Sequence, residues 1–523
     1  HGRLSESPSV RLVLALFTLL FTVGIWWGWP ATWAPDELDS ASILNAVGHR
    51  FSNGWFDKYP PLHHYLLAVI YSPALVADRL GWWRVDTEPV LALLYLQGRA
   101  LTLAMGIGTL FGVALIATRT LGAAYAWPAA FCAGAFLPFV FYAKTVNVDV
   151  PYVFWFVVSC LFLVEAHRFG RARDCVGFAL TAAATVATKD QAYALYVLPA
   201  LHLAWRVGRS RRGIAALAAG TIAGLVALAL LFNLPFNYGG FRHHLELVVG
   251  PASADYRMFP PTVAGQWALA TSTAGQVLWA LGVPGTILVL LGLVRPGRGA
   301  DEPRVPIWVF LVAISYYLTL IAVIGYVYDR FLLPVTTLLA LVAAIGLRRA
   351  SAFVGRGRWQ HEGGGLFGFV LLGWLLWRAA SVDALLVRDS RYAAEAWLRT
   401  HVPRDAWVAS VDDSTYGPRL DRFRHTLIGT TIAETLSNKP EFIVVNTEFL
   451  ARSAESPERL WLDWLQADSG PYEVVFRYKA PLGLSALAWH ASFTNRRQDE
   501  FTNLDKANPE IVIFRRRPDK PPG

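Results

Sequence analysis

The sequence predicts a mainly α polytopic membrane protein of about eleven transmembrane helices, closed by a C-terminal α/β domain outside the cytoplasm. Three observations predict it. Of 523 residues, 54% are hydrophobic and only 16% charged, with a mean hydropathy of +0.38, a composition that soluble domains rarely have. Apolar runs long enough to cross a bilayer recur along most of the chain. After Arg388 those runs give way to short alternating stretches typical of strands. The formal charge of +9 falls mostly in short loops between apolar runs. That is a topology signal rather than a nucleic-acid footprint.

In chain order the spans are 9–30, 90–118, 124–143, 150–167, 174–188, 191–206, 213–233, 266–294, 305–325, 331–347 and 363–386. The first contains the uncharged run Leu12 to Trp29 and is not followed by a small-residue cleavage pattern, so it reads as a retained span. The fifth and sixth meet at Lys189-Asp190 and could be one broken helix. Loop charge favours two. With a cytoplasmic N-terminus, the inside loops carry Arg3 and Arg11; Arg119; Arg168, Arg171 and Arg173; Arg206, Arg209, Arg211 and Arg212; Arg295, Arg298 and Arg304; and Arg348, Arg349, Arg356 and Arg358. The short opposite loops hold few positives, namely Lys144, Lys189 and Arg330. This alternation places a multi-pass chain in the plasma (inner) membrane, residues 1–388 forming the membrane domain and residues 389–523 an extracytoplasmic α/β domain.

The long outer loop, 31–89, reads as two helices lying along the membrane surface, about 36–51 and 61–79. Trp26, Trp27, Trp29 and Trp33 read as an interfacial aromatic belt. A second outer loop, 234–262, is rich in Pro, Gly and His. In the tail, "SRYAAEAWLRTHV" has helical periodicity, while "AWVASV", "EFIVVN", "YEVVFRY" and "EIVIFR" alternate as strands. Cys132, Cys160 and Cys175 all lie in or beside apolar segments, which argues against a disulfide framework.

The unusual polar residues gather on one membrane face. "PDELDS" sets Asp36, Glu37 and Asp39 just past the first span. "DKYPPLHHY" carries Lys58, Tyr59, His63 and His64. "KTVNVDVP" carries Asn147 and Asp149, "TKDQAY" carries Lys189, Asp190 and Gln191, and "YVYDRFLLP" carries Tyr328, Asp329 and Arg330. Ionisable groups at a membrane boundary are costly unless paired or functional. Taken singly, each has an ordinary explanation. Pro35-Asp36-Glu37 is a sound helix start, Lys58 and Arg330 are placed to snorkel, Asp149 before Pro151 is a plausible cap, and paired histidines are common on interfacial helices. Arg99, inside the second span, calls for an outer carboxylate partner. Recurrence at one level in separate loops favours a shared site.

Those motifs, in this order, together with the tail beginning "SRYAAEAWL", resemble the GT-C-fold glycosyltransferases that use polyprenyl-phosphate sugars. The resemblance is to the family 39-like group, which includes protein O-mannosyltransferases and the aminoarabinose transferases of lipid A. It covers nearly the whole membrane part. One departure separates the chain from the aminoarabinose transferases: they place lysine directly before two prolines, and here Tyr59 stands between Lys58 and Pro60.

The resemblance implies transfer of a sugar from a polyprenyl-phosphate carrier to a hydroxyl on a protein, lipid or polysaccharide acceptor at the outer face. It implies Asp36 as general base with Glu37 next, and Asp149 as a second acid that orients the acceptor, holds Lys58 or binds a metal. Lys58, Lys189 and Arg330 would take the donor phosphate. Tyr59, His63, His64, Asn147, Asp190, Gln191 and Tyr328 would line the substrate. No local His/Asp spacing demands a metal, so no cofactor is assigned and a divalent ion stays open. Two other classes compete with this reading. A lipid-linked glycan flippase shares many spans and buried charges, but transporters place polar groups near the midplane and carry inverted repeats, and none is visible here. A non-catalytic scaffold leaves the charge cluster unexplained.

Overall fold

The computed structural model describes residues 7–30, 32–51, 58–250, 256–294, 303–354, 363–411, 415–450, 457–467, 470–487 and 502–518. Among the loop arginines, Arg3, Arg295, Arg298, Arg356 and Arg358 lie outside those residues. The chain divides into two compact units. The first comprises residues 1–25 and 38–380, and the second residues 26–37 and 381–523.

The first unit is helical throughout. Its elements are α1 (Pro8–Thr22), α2 (Ser40–Gly48), α3 (Leu62–Arg79), α4 (Glu88–Thr120), α5 (Ala126–Ala135), α6 (Leu137–Tyr142), α7 (Asp149–Phe169), α8 (Ala172–Thr188), α9 (Val197–Val207), α10 (Arg211–Leu231), α11 (Tyr238–Val249), α12 (Val263–Leu293), α13 (Ile307–Tyr316), α14 (Leu333–Val354) and α15 (Gly363–Val387), whose last turns belong to the second unit. Each apolar run expected to span contains a helix, though not always over its whole length. The count of eleven is corrected, however: seven helices among the described residues are long and apolar enough to cross a bilayer.

The shortfall has local causes. The run at 124–143 breaks between α5 and α6, where Phe136 is extended and Pro138 enters at the start of the next helix. The first run stops at Thr22 because Gly24 and Gly28 take positive φ. The fifth and sixth runs are separate helices joined by a 3-10 turn, Asp190–Leu195, and both are short. Helix α13 continues through a π-turn, Tyr317–Ile321, to Ile324. The loop at 234–262 holds an unforeseen helix, α11, which Asn237 caps by accepting from Gly240 N at 3.0 Å.

Burial grades the bundle from centre to rim. Within Asp329–Ser351, 83% of an apolar 18-residue stretch is buried in the protein, against 17% of the corresponding stretch of Arg211–Leu231. The former is the central post and the latter presents most of its apolar surface outward, as a lipid-facing helix must. Helix α12 packs along α14, and α8 packs between α7 and α10. The three cysteines are buried and free.

Interrupted helices leave main-chain carbonyls without intrahelical partners. Here buried cations satisfy them. Lys144 Nζ donates to Leu20 O and, at 2.7 Å, to Val23 O, and Arg99 Nη1 donates to Ile25 O at 2.8 Å. Arg99 thus serves the main chain just past the end of α1. Arg378 does the same at a kink in α12, reaching Trp279 O at 2.6 Å and Ala280 O at 3.4 Å.

The second unit holds a five-stranded sheet in the order β2-β1-β3-β5-β4. Its strands are β1 (Trp407–Ser410), β2 (Arg424–Leu427), β3 (Phe442–Asn446), β4 (Tyr472–Tyr478) and β5 (Ile511–Arg516). Strands β2, β1 and β3 run parallel, while β5 is antiparallel to both β3 and β4. Period-two alternation sends Val408, Phe442, Val444, Ile511 and Ile513 to one face, where they pack on Ala394 and Leu398 of α16 (Ser390–His401). Ala409, Ile443, Val445, Val512 and Phe514 face the other way, against Trp461, Leu462 and Leu465 of the helix Pro457–Gln466. The four expected strands are present. Edge strand β2 was not foreseen, because "RHTL" is exposed at every position and shows no apolar alternation.

The tryptophan belt is corrected in part. Trp26 and Trp29 are exposed, but Trp27 and Trp33 are buried in the second unit.

Gly282 sits in α12 at φ +63, and the Arg378 guanidinium fills the space a Cβ would need. Gly282→Ala is expected to destabilise the protein by about 1–3 kcal/mol. Thermal unfolding in detergent tests this, and a wild-type midpoint would contradict the kink geometry.

Candidate active site

In the first unit, three helix ends meet around one buried ion pair. Asp149 is the first residue of α7, Lys189 follows the last residue of α8, and Asp329-Arg330 open the turn that leads into α14. Lys189 Nζ lies 2.6 Å from Asp149 Oδ1, with side chains only 4% and 1% exposed. The ammonium also stands 5.1 Å from the Tyr152 ring and 4.9 Å from the Phe331 ring. Burial pushes the Lys189 ammonium below its ordinary value, and the Asp149 carboxylate pulls it back up.

Arg330 joins the same cluster. Tyr152 Oη donates to Arg330 O at 3.3 Å, and the positive charge of Arg330 acts on Lys189. Its guanidinium lies 5.0 Å from the Tyr328 ring, which packs edge-on to Tyr326 and Phe331. Asp329 accepts from Arg330 N at 2.6 Å and from Tyr142 Oη at 3.1 Å, which fixes the turn. Arg330 and Tyr328 are half-buried.

Of the three cations expected to bind phosphate, two are thus brought together, and they differ in role. Lys189 is held by Asp149, a partnership not among the three roles the sequence offers that acid: orienting the acceptor, holding Lys58 or binding a metal. Lys58 is exposed, its ammonium 5.6 Å from the Tyr59 ring. Tyr59 itself is buried with Leu38, Leu67, Val146 and Val148. Asn147 Oδ1 accepts from Asp149 N at 3.0 Å, an Asx turn that leads into α7; Asp149 is the first helical residue and not its cap, which is Val148.

Asp190 is turned to a second partner. Its Oδ2 lies 3.9 Å from Nε2 of the buried His244, on α11. Burial raises the Asp190 carboxyl above its ordinary value, opposed by His244 and Lys189. Gln191 Oε1 has no hydrogen-bond partner among the described residues. His63 and His64 are fully buried on α3, and burial pushes them down to about 3 and about 4. Both imidazoles are therefore neutral at physiological pH. The ring nitrogens of His63 meet no partner among the described residues, so its polar edge is unspent.

The acidic triplet past the first span divides. Asp39, in the first unit, caps α2, accepting from Ala41 N at 3.2 Å and Ser42 N at 3.1 Å, and from Tyr95 Oη at 3.1 Å. The helix-start explanation therefore applies to Asp39 and not to Asp36 or Glu37, which precede the helix. Those two belong to the second unit. Asp36 has φ +64, a left-handed conformation uncommon for a residue with a Cβ. Asn503 Nδ2 reaches its Oδ2 at 3.5 Å, while Glu37 Oε2 accepts from Thr32 Oγ1. Both carboxylates are half-buried. Next along the chain, Leu38 N donates to Val146 O at 2.7 Å, on the loop that leads into Asp149.

Sequence reasoning missed His244, Tyr142 and Tyr152. The pair His243-His244 lies in a stretch whose Pro, Gly and His content reads as a loop. The tyrosines sit inside or at the ends of apolar runs, where their hydroxyls leave no periodic signal. Among the described residues, no three His, Cys, Asp or Glu side chains converge as a metal site would require.

Breaking a buried pair from one side leaves a buried charge. Lys189→Met is expected to destabilise the protein by about 3–5 kcal/mol, and Lys189→Met combined with Asp149→Leu to recover most of that loss. Unfolding of the single and double variants in detergent checks the coupling. Strictly additive losses would contradict it.

No family model matches this chain, and no curated protein matches it. Among solved structures it is similar to ArnT from Cupriavidus metallidurans bound to undecaprenyl phosphate, at 14% identity over 97% of this chain and 98% of that one, with a TM-score of 0.47. It is also similar to the archaeal oligosaccharyltransferase AglB from Archaeoglobus fulgidus, at 11% identity over 98% and 89% of the two chains, TM-score 0.45. A third similarity is to the arabinofuranosyltransferase AftD from Mycobacteria, at 14% identity over 98% of this chain and 40% of that one, TM-score 0.42. At these identities and TM-scores the likenesses assign neither a family nor a reaction to this chain.

Proposed function

We propose that this protein is a GT-C-type integral membrane glycosyltransferase that moves a sugar from a polyprenyl phosphate to a hydroxyl acceptor at the outer face of the membrane. The observation that carries the reading is the convergence of Asp149, Lys189 and Asp329-Arg330 from three helix ends. Charges at helix ends, rather than in mid-helix, suit a headgroup at the membrane boundary better than a path through it, and this favours a transferase over a flippase.

The chemistry needs a base for the acceptor and positive charge for the leaving group. The acceptor oxygen attacks the anomeric carbon as the bond from that carbon to the phosphate oxygen breaks. The electron pair leaves with the polyprenyl phosphate and the proton passes to a carboxylate, Asp36 in this account, with Glu37 as its neighbour. A single displacement of this kind inverts the anomeric centre. A departing phosphate needs cations or aligned donors. Arg330, half-buried, supplies a planar fork able to make two parallel bonds. Lys58, exposed beside the Tyr59 ring, supplies a further positive charge. Lys189 is held by Asp149 and adds positive potential without being the primary ligand. Neutral His63 and His64, with Asn147, Asp190, Gln191, Tyr59 and Tyr328, complete the substrate surroundings. Neutral imidazoles suit sugar hydroxyls better than phosphate.

Asp36→Asn is expected to preserve the fold and lower the transfer rate by roughly 10²–10⁴-fold, because an amide cannot accept the acceptor proton. Glu37→Gln should cost less. Turnover assays on purified variants check this. Near wild-type turnover by Asp36→Asn would remove Asp36 as the base and leave Glu37 or Asp149.

A further inference from the structure

The segment from Trp26 to Glu37 folds with the C-terminal domain, far from it in sequence. Trp27 Nε1 donates to Asp389 Oδ2 at 3.0 Å, and Gly28 N donates to Tyr392 Oη at 3.0 Å. The Trp33 ring, fully buried, lies 4.7 Å from that of Tyr392 with the Arg391 guanidinium 4.3 Å from its centre. Arg419 donates to Trp29 O. Asp389 in turn forks with Arg391 and accepts from Asn508 N at 2.8 Å. One turn of chain, 503–508, therefore touches this lattice at its far end and Asp36 at its near end.

At that near end stands Asn503, 5% exposed. Its Nδ2 lies 3.5 Å from both Pro35 O and Asp36 Oδ2. Both neighbours are acceptors, so the amide must present its NH2 and not its oxygen. At this length the amide steers the carboxylate more than it binds it. The backbone of Asp36 is held at φ +64, so its carboxylate leaves the chain in a set direction beside that amide.

We propose that the C-terminal domain is a positioning partner of the candidate base: Asn503 orients the Asp36 carboxylate, on a segment that Trp27 and Trp33 fasten to the same domain. This rests on the role given to Asp36 above, and it makes the tail part of the catalytic apparatus rather than an appended acceptor-binding module.

The test uses the full-length protein with Asn503→Ala, Asn503→Gln and Asn503→Asp. Two readouts are needed. The first is transfer kinetics against pH. Asn503→Ala should lower kcat about 10-fold, the effect of one lost hydrogen bond at the reacting group. KM for the donor should stay near wild type, and the acid limb of the profile should move to higher pH. Asn503→Gln should restore part of the rate, and Asn503→Asp should move the limb further, since a second acid disfavours ionisation of the first. The second readout needs no turnover: modification of Asp36 by a water-soluble carbodiimide, mapped by peptide mass spectrometry across pH. Its midpoint should also rise in Asn503→Ala, with an unchanged thermal midpoint. A shifted carbodiimide midpoint in a protein that transfers no sugar would support the positioning contact and remove the glycosyl-transfer reading. Wild-type kcat and a wild-type carbodiimide profile in Asn503→Ala would overturn the proposal.

Discussion

The membrane unit depends on placing charge where water is scarce. Lys189 and Asp149 are both almost fully buried, and removing two ions from water costs several kcal/mol apiece before their attraction returns any of it. The pair is tenable because its surroundings are arranged for it. Two aromatic faces lie near the ammonium, and the Asn147 turn before α7 fixes the residue that carries the carboxylate. Helices α7 and α8 cannot shift independently without separating the pair. The turn into α14 is tied to the same place through Tyr152, so the central helix of the bundle inherits that registration.

The same constraint explains the irregular helices. A bilayer offers no water to carbonyls freed at a break. Lys144 and Arg99 supply donors at the end of α1, and Arg378 supplies them at the kink in α12. In each case a long cation does work that a shorter polar side chain could not reach. Breaks and turns are also where α7, α8 and α14 present the polar residues of the candidate site. Irregularity and function therefore share one structural cause: a chain that must stop being helical near the membrane boundary exposes groups that bind charge.

How much of this could be read from the sequence follows from range. Apolar runs and period-two alternation are local, so helices such as Asp149–Phe169 and strands such as Ile511–Arg516 were legible. Continuity across a run was not. Phe136-Leu137-Pro138 sits inside an apolar stretch that hydropathy cannot divide, and Gly24 and Gly28 end α1 well before its apolar composition does. Among the site residues, those on polar motifs at helix ends were visible because charge stands out against an apolar background. Which acid meets which cation was not visible, since Asp149 and Lys189 come together only through the packing of α7 on α8. The burial of Trp27 and Trp33 was likewise hidden, because the residues that receive them lie some 360 positions away.

The measurement that bears most directly on the account is incubation of the purified protein with a panel of polyprenyl-phosphate sugars, followed by mass spectrometry of the lipid fraction. The account predicts that one donor is consumed in the presence of a hydroxyl acceptor, with free polyprenyl phosphate appearing in equal amount and the transferred sugar inverted at its anomeric carbon. Intact donors throughout, together with passage of a labelled donor across vesicles containing the protein, would contradict it.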